Sequence, residues 1–181
     1  MPGRSGSVGG FRFCPLCATE LTLRADGARM RLSCPSCGFV HYHNPVPAAG
    51  GIICRGPSVC LVRRAVDPRR GCWSLPAGFV EYDETPAQCA SREIAEETGL
   101  QVSIEEPLGV YAGLDDPRSR AILIVYWARE VGQSTPVAGD DADQMGFFPP
   151  HEVPAQIAFR AHRQALDDAF RHPRFGASGV A

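Results

Sequence analysis

The chain has 181 residues, of which 44% are hydrophobic and 21% are charged, so its composition is that of a globular protein with room for one ordinary domain and a small module. Its formal net charge of −2 gives no electrostatic basis for binding bulk nucleic acid. It has no run of about 18 apolar residues, which excludes a membrane-spanning helix, and it begins without the apolar segment of a signal peptide; these features predict a cytoplasmic protein.

The N-terminal part predicts a short tail followed by a metal-binding module. Residues 1–10, MPGRSGSVGG, are typical of a disordered tail. Two C-x2-C pairs follow, separated by 16 residues, and this spacing is typical of a structural zinc site with four thiolate ligands: Cys14, Cys17, Cys34 and Cys37. Disulfides or free thiols are the alternative, which the lack of a secretory signal disfavours. We therefore predict a zinc ribbon over residues 11–44 that depends on its metal for folding.

The next segments predict a hairpin and a further strand. Two apolar runs, VPAAGGIIC and SVCLVRR, are separated by Gly56 and Pro57, a pair typical of turns. Residues 73–80 predict another strand, which leads towards a helix. Four further cysteines have no paired spacing and fit small buried hydrophobic residues: Cys54, Cys60, Cys72 and Cys89.

Residues 86–98 predict a helix with well-defined ends. Thr85 before Pro86 and Gln88 has the pattern of a capping box with proline at the first helical position. Gly99 supplies the left-handed residue that commonly ends a helix. Both ends are therefore marked by local sequence.

Three glutamates, Glu93, Glu96 and Glu97, fall on one edge of this helix, within a sector of roughly 100°. Like charges at this spacing repel one another by roughly 0.2–0.5 kcal/mol per pair. A solvated acidic face is the simplest interpretation, but Arg92 is the only base among these acids, and further acids precede the helix. Clustered carboxylates suit a hard divalent cation such as Mg²⁺, which also takes phosphate oxygens of a substrate. We therefore predict a metal-binding helix edge.

The rest of the chain predicts more strands and a closing helix. Strands are predicted at VSIEEPLGVYAGL, AILIVYWARE and MGFF, and apolar residues at helical spacing predict a helix over residues 158–170. Residues 173–181 predict a flexible tail. This order of elements predicts an α/β domain with two helical layers around a sheet.

Residues 78–100 match the pattern G-x5-E-x7-R-E-U-x-E-E-x-G-U, where U is a bulky aliphatic residue. Every specified place is filled, by Gly78, Glu84, Arg92, Glu93, Ile94, Glu96, Glu97, Gly99 and Leu100. The sequence thereby resembles the Nudix hydrolases, which split a nucleoside diphosphate linked to another moiety. The resemblance implies an α/β/α sandwich with a mixed sheet over residues 45–172. Phrases such as NPVPAAGGII and FFPPHEVP resemble the subgroup with an N-terminal zinc ribbon, which includes NADH, FAD and ADP-ribose pyrophosphatases.

The resemblance also implies roles for individual residues. It implies that Mg²⁺ or Mn²⁺ is held by the three helix glutamates and the backbone carbonyl of Ala77. Arg92 is expected to orient the glutamates through ion pairs, as part of the catalytic group with Glu93 and Glu97. The remaining box residues are expected to be structural: Gly78, Glu84 and Gly99.

The general base stays open at this point. Glu93 or Glu97 is the default, but some relatives use a glutamate in a late loop. This sequence departs from them, because Gln144 stands where that glutamate is expected, and an amide cannot take a proton. Asp141 and Asp143 are the alternatives in the same loop.

Three residues are candidates for substrate recognition. Arg63 and Arg64 are candidates to bind phosphate, and Trp73 is a candidate to stack on a base, with burial in the core as the alternative. The SQPWPFP-like segment of the NADH enzymes is absent, and LPAGFVE resembles the FAD and ADP-ribose group. We expect hydrolysis of FAD or ADP-ribose, with release of AMP and a phosphorylated product.

A regulator is the alternative from a different class. In it the ribbon would bind nucleic acid and the Nudix domain would sense a ligand. The intact acidic positions and the thin basic cluster of the ribbon, Arg24, Arg29 and Arg31, argue against this alternative. Homodimerisation through the ribbon is compatible with the enzyme.

Overall fold

The computed structural model describes most of the chain, namely residues 11–116, 119–132, 136–137, 139 and 141–176. The chain forms two compact units, which divide between Asn44 and Pro45. The tails expected at residues 1–10 and 177–181 lie outside the described residues. No helix within the described ranges is long and apolar enough to cross a membrane.

The N-terminal unit is built on a β-hairpin. Strands β1 (Thr22–Asp26) and β2 (Arg29–Ser33) pair antiparallel, and Gly27 takes a φ of 58° in the turn between them. The buried cluster of this unit is small and includes two cysteines: Cys14, Leu21 and Cys34, with Leu32 and Phe39 packed against it. Such a cluster supplies little hydrophobic stabilisation, which is why a metal is expected to hold the unit together.

The second unit begins with the predicted hairpin. Strands β3 (Val46–Arg55) and β4 (Ser58–Arg64) pair antiparallel across a turn in which Gly56 has a φ of 56°. This positive φ is the left-handed conformation that glycine adopts without a steric penalty. The hairpin is confirmed.

The single strand expected over residues 73–80 is instead two short strands. Strand β5 (Trp73–Ser74) pairs with β4, whereas β6 (Ala77–Phe79) pairs with β3. The break falls at Pro76, which has no N–H to donate to a ladder. The chain changes partner strand at this point, and the expectation of one continuous strand was wrong.

Three longer strands complete the sheet: β7 (Val102–Gly113), β8 (Ala121–Glu130) and β9 (Ala142–Phe148). The strand order is β5-β4-β3-β8-β7, with β6 also on β3 and β9 also on β4. Strands β3 and β8 run parallel and the other pairs antiparallel, so the sheet is mixed, as expected. Strand β9 is longer than MGFF because Ala142 and Gln144, which precede that run, also pair with β4.

Two helices, α1 (Pro86–Thr98) and α2 (Arg160–Arg171), cover opposite faces of the sheet. Adjacent residues of β3 show this arrangement: Ile53 packs in a cluster with Ile94 of α1, and Ile52 packs in a cluster with Leu166 of α2. Successive side chains of a strand point to opposite faces, so each helix covers one layer of the core. The α/β/α sandwich is confirmed.

The segment after α2 packs against the rest of the second unit, to which it belongs. The rings of Phe175 and Phe170 meet edge to face with centroids 4.8 Å apart. Arg174 forms an ion pair with Glu105. Residues 173–176, which the sequence placed in a flexible tail, are therefore packed in the structure, because they supply an aromatic ring and a base that find partners.

Candidate active site

Helix α1 begins and ends at the predicted residues. The backbone N–H of Gln88 donates to the Thr85 side chain, and the Gln88 side chain accepts from the Thr85 N–H at 2.8 Å, which completes the capping box. Gly99 ends the helix with a φ of 70°. One face of the helix is buried, through Cys89, Ala90, Ile94 and Thr98. The cap and the buried face fix the rotation of the helix and so the position of its glutamates.

Arg92 is the centre of an ion-pair network on α1. Its guanidinium donates to Glu84 at 2.6 and 3.1 Å, to Glu93 at 2.7 Å and to Glu96 at 3.0 Å. A further N–H reaches the carbonyl of Phe79 at 3.2 Å. The pairing with Arg92 lowers the pKa of Glu84 to about 2. This geometry fits an orienting role for Arg92 and a structural role for Glu84.

Gly78 makes room for the carboxylate of Glu93. A Cβ atom at position 78 would lie 2.0 Å from Oε1 of Glu93 and 2.1 Å from its carboxyl carbon. No real Cβ makes so close a contact, so any other residue would displace the glutamate. Burial raises the pKa of Glu93, and the neighbouring Arg92 opposes this shift.

We expect Gly78→Ala to lower kcat by about 10²-fold, because a displacement of about 1 Å in a catalytic group has an effect of this size. Steady-state kinetics at saturating Mg²⁺ measure it. Gly51→Ala is the matched control, since its Cβ would meet the flexible Cδ1 of Ile94 on the same helix at 2.7 Å. The control should lower the melting temperature with much less effect on kcat; equal losses of kcat would contradict the role of Gly78.

Glu97 is largely desolvated. It accepts a hydrogen bond from the backbone N–H of Ala77 at 3.0 Å, and burial raises the pKa of its carboxyl to about 8. Among the described residues, none forms an ion pair with it. A bound cation would favour the ionised form of such a carboxyl.

A pocket of about 340 Å³ lies beside these glutamates. Six carboxylates line it: Glu81, Glu93, Glu97, Asp115, Asp116 and Asp141. Of the described side chains around the pocket, Arg64 alone carries a fixed positive charge. Apolar parts of the wall come from Phe159 and Leu123. Acidic side chains therefore outnumber basic ones in the described wall of the pocket.

The oxygen ligands that the pocket offers fit a hard divalent cation. Glu93 and Glu97 offer carboxylate oxygens, and Ala77 lines the pocket beside them. Oxygen-only sites of this kind suit Mg²⁺ or Mn²⁺. Glu96 is exposed, is paired with Arg92 and does not line the pocket in this structure.

The three substrate-binding candidates are placed differently. Arg64 lines the pocket. Arg63 is engaged elsewhere, because its Nε and Nη2 donate to the two carboxylate oxygens of Asp143, at 2.7 and 3.0 Å. Trp73 packs edge-on against Phe148, with ring centroids 4.9 Å apart, and borders the core rather than the described wall of the pocket. The structure therefore brings only Arg64 of these three to the described pocket.

The late-loop residues separate in the same way. Asp141 lines the pocket, and its carbonyl accepts from the N–H of Ala65 at 2.8 Å, which fixes this part of the loop at the end of β4. The pKa of Asp143 is lowered by its hydrogen bonds with Arg63. Gln144 is an exposed residue of β9. Of the late-loop acids that the structure describes, Asp141 is the one that lines the pocket with Glu93 and Glu97.

The sequence did not point to the opposite wall of the pocket. This wall includes Phe159 and His162 at the start of α2, and Asp115 after β7. Asp115 accepts from the N–H of Arg160 at 3.1 Å, so it caps the first turn of α2 from 45 residues away. The sequence offered one signal for this wall: His162 stands beside Ala161, a small residue that is buried on an amphipathic helix.

The four ribbon cysteines form a compact cluster. The Sγ atoms of Cys14, Cys17, Cys34 and Cys37 all lie within 4.8 Å of one another. The Cys14–Cys37 and Cys17–Cys34 separations are 3.5 and 3.4 Å, too long for disulfides, whose S–S bond is about 2.05 Å. Four thiols at these separations fit a tetrahedral zinc ion with Zn–S bonds of about 2.3 Å.

Comparison with protein families agrees with this geometry. Residues 44–169 match the model described as the NUDIX domain, and residues 12–43 match the zinc-ribbon model described as Nudix N-terminal. The chain belongs to the Nudix hydrolase family. The resemblance carried by residues 78–100 and the enzyme class that it implied are confirmed.

Individual relatives of this Nudix hydrolase fall into two groups by length. The ADP-ribose pyrophosphatase of Methanocaldococcus jannaschii is 40% identical over 72% of this chain and 76% of its own. The NAD-capped RNA hydrolase NudC of Chromobacterium violaceum is 32% identical over 86% of this chain, which spans 58% of NudC. A crystal structure of a Nudix hydrolase from Nitrosomonas europaea matches with a TM-score of 0.80 and 32% identity, over 94% of this chain and 96% of that one.

Proposed function

We propose that this Nudix hydrolase cleaves the diphosphate bond of ADP-ribose, or of FAD as the second choice, and releases AMP and a phosphorylated product. The proposal rests on the pocket of about 340 Å³, which is lined by Glu93, Glu97 and Arg64. This volume is within the usual range for small-molecule sites. The 40% identity to the M. jannaschii ADP-ribose pyrophosphatase supports ADP-ribose as the first choice.

The charge of the pocket explains why the reaction would need divalent cations. Six carboxylates and one guanidinium line it, and a diphosphate substrate is itself an anion. Bound Mg²⁺ or Mn²⁺ would neutralise the non-bridging phosphate oxygens and lower the pKa of a water molecule. Glu93, Glu97 and the Ala77 carbonyl would hold the cations inside the pocket. Glu96 would join them from the exposed edge of α1.

The residues of the chain itself bind, orient and accept protons. Arg64 is suited to bind a phosphate oxygen, since its guanidinium lines the pocket and lies over the Phe159 ring at 5.4 Å. The Phe159 ring offers an aromatic surface for a nucleobase. Glu97 and Asp141 line the pocket and form no ion pair with the described residues, and both are suited to take a proton from the attacking water.

We propose a structural role for zinc in the ribbon. The four thiols form a closed tetrahedral set, which leaves no open coordination position for chemistry. The buried cluster around Cys14 and Cys34 is too small to hold the unit alone. Zinc would therefore supply folding free energy and take no part in hydrolysis.

A substrate panel tests the proposed function. The full-length protein is incubated with ADP-ribose, FAD, NADH and a nucleoside triphosphate in Mg²⁺, and products are identified by chromatography and mass spectrometry. We expect AMP and ribose 5-phosphate from ADP-ribose, and loss of turnover when Mg²⁺ is omitted. No cleavage of any of these compounds, together with tight, salt-dependent binding of RNA or DNA, would favour the regulator instead.

A further inference from the structure

His162 faces the pocket from the first turn of α2 and has no part in the reaction described above. Its Nδ1 accepts a hydrogen bond from the backbone N–H of Leu75 at 3.2 Å. This N–H is available because the chain breaks between β5 and β6 at Leu75 and Pro76. A neutral imidazole that accepts at Nδ1 carries its hydrogen on Nε2.

The imidazole of His162 stays neutral at physiological pH. Burial lowers its pKa to about 4, and the positive charge of Arg64 acts in the same direction. Asp115 is close enough to oppose this shift. The Nε2–H is therefore a neutral hydrogen-bond donor, and no acceptor for it is found in the part of the chain that the structure describes.

Hydrogen-bond donors are scarce among the side chains of this pocket. Six of the lining side chains are carboxylates, which only accept when ionised. Arg64 and His162 are the lining side chains, within the described ranges, that offer N–H groups. Arg64 also acts electrostatically on Glu97, so these donors lie near the glutamates of α1. A phosphate group beside those glutamates would find its side-chain donors here.

We propose that His162 donates its Nε2–H to a phosphate oxygen of the substrate and, together with Arg64, positions the diphosphate against Glu93 and Glu97. This inference rests on the proposed function and names a binding residue for the same site. In this arrangement the hydrogen bond from the Leu75 N–H fixes the tautomer of His162 and orients its Nε2–H towards the substrate. The break between β5 and β6 contributes to substrate binding, because it leaves the Leu75 N–H available for this bond.

Two substitutions separate the roles of the two imidazole nitrogens, Nδ1 as acceptor and Nε2 as donor. In His162→Asn the amide oxygen stands near the place of Nδ1, so the variant keeps the acceptor for Leu75 and loses the donor towards the pocket. In His162→Gln the longer amide reaches the place of Nε2, so the variant keeps a donor and loses the acceptor. A merely structural histidine would tolerate Asn better than Gln in every assay.

The probe is α,β-methylene-ADP with Mg²⁺, a diphosphate that cannot be cleaved, and binding is measured by calorimetry beside kcat and KM for ADP-ribose. We expect His162→Asn to weaken the affinity and lower kcat/KM by about 10- to 100-fold at an unchanged melting temperature, since a hydrogen bond to a charged group is lost. We expect His162→Gln to melt at a lower temperature and to keep its affinity within a few-fold. Wild-type affinity in His162→Asn would overturn the inference.

A measurement on the wild-type protein tests the inference even if a variant does not fold. The Nε2–H resonance of His162, one of five histidines, should shift when the probe binds, and an unshifted resonance in the bound protein would overturn the inference. If the wild-type protein cleaves ADP-ribose and His162→Asn has the same affinity and kcat/KM, the inference about His162 is wrong and the proposed function stands. If the wild-type protein neither binds the probe nor cleaves any substrate, the proposed function is wrong as well.

Discussion

Glu97→Gln is expected to lower kcat by about 10²- to 10⁴-fold and to leave the melting temperature at or slightly above that of the wild type. The amide keeps the shape of the side chain and an oxygen that accepts from the Ala77 N–H. It removes the negative charge, so it can neither bind a cation well nor take a proton. Because burial raises the pKa of Glu97 to about 8, loss of the charged form relieves a desolvation penalty in the fold. Steady-state kinetics and thermal denaturation measure the two effects.

Controls separate the possible roles of Glu97. Glu152→Gln changes an exposed glutamate outside the described pocket wall and should leave kcat unchanged. If Glu97 binds the cation, Glu97→Gln also raises the Mg²⁺ concentration needed for half-maximal rate. If it is only the base, that concentration stays constant, and Asp141→Asn has little effect. Wild-type kcat in Glu97→Gln would show that the metal assignment is wrong.

The sequence predicted the helix side of the site because that side is set by local rules. The capping box, the glycine stop and the 3.6-residue period placed α1 and put its glutamates on one edge. The other wall depends on contacts between distant residues, for which one sequence gives no such rule. Leu75 and His162 are 87 residues apart, and Asp115 and Arg160 are 45 residues apart.

The choice between Arg63 and Arg64 illustrates a rule that the sequence did offer. Both residues lie on β4, and successive side chains of a strand point to opposite faces, so only one of them can reach a given pocket, although both were candidates from the sequence. The structure shows that Arg64 does so, while Arg63 lies opposite Gln144 of β9 and pairs with Asp143. Which of the two faced the pocket depended on the pairing of β4 with β9, and the sequence pattern recognised only the end of β9.

Cys34→Ser is expected to abolish the order of the ribbon and leave the hydrolytic chemistry in place. Zinc at a four-thiolate site contributes about 10–16 kcal/mol in small zinc modules, far more than the buried cluster around Cys14 and Leu21 can replace. Zinc content should fall from about one ion per chain to none. Trypsin should then cut after Arg29 and Arg31 in β2, where the wild-type hairpin resists it.

Cys72→Ser is the matched control for this experiment. Cys72 lies outside the thiol cluster, just before β5, and this substitution should keep full zinc content and resistance to trypsin. The kcat for ADP-ribose should be close to the wild-type value in both variants, measured per folded second unit at saturating Mg²⁺. A folded Cys34→Ser protein that has lost its chemistry would mean that the ribbon acts in the reaction itself. Retained zinc and trypsin resistance in Cys34→Ser would instead show that the fourth thiolate is dispensable, because three ligands would then hold the ion.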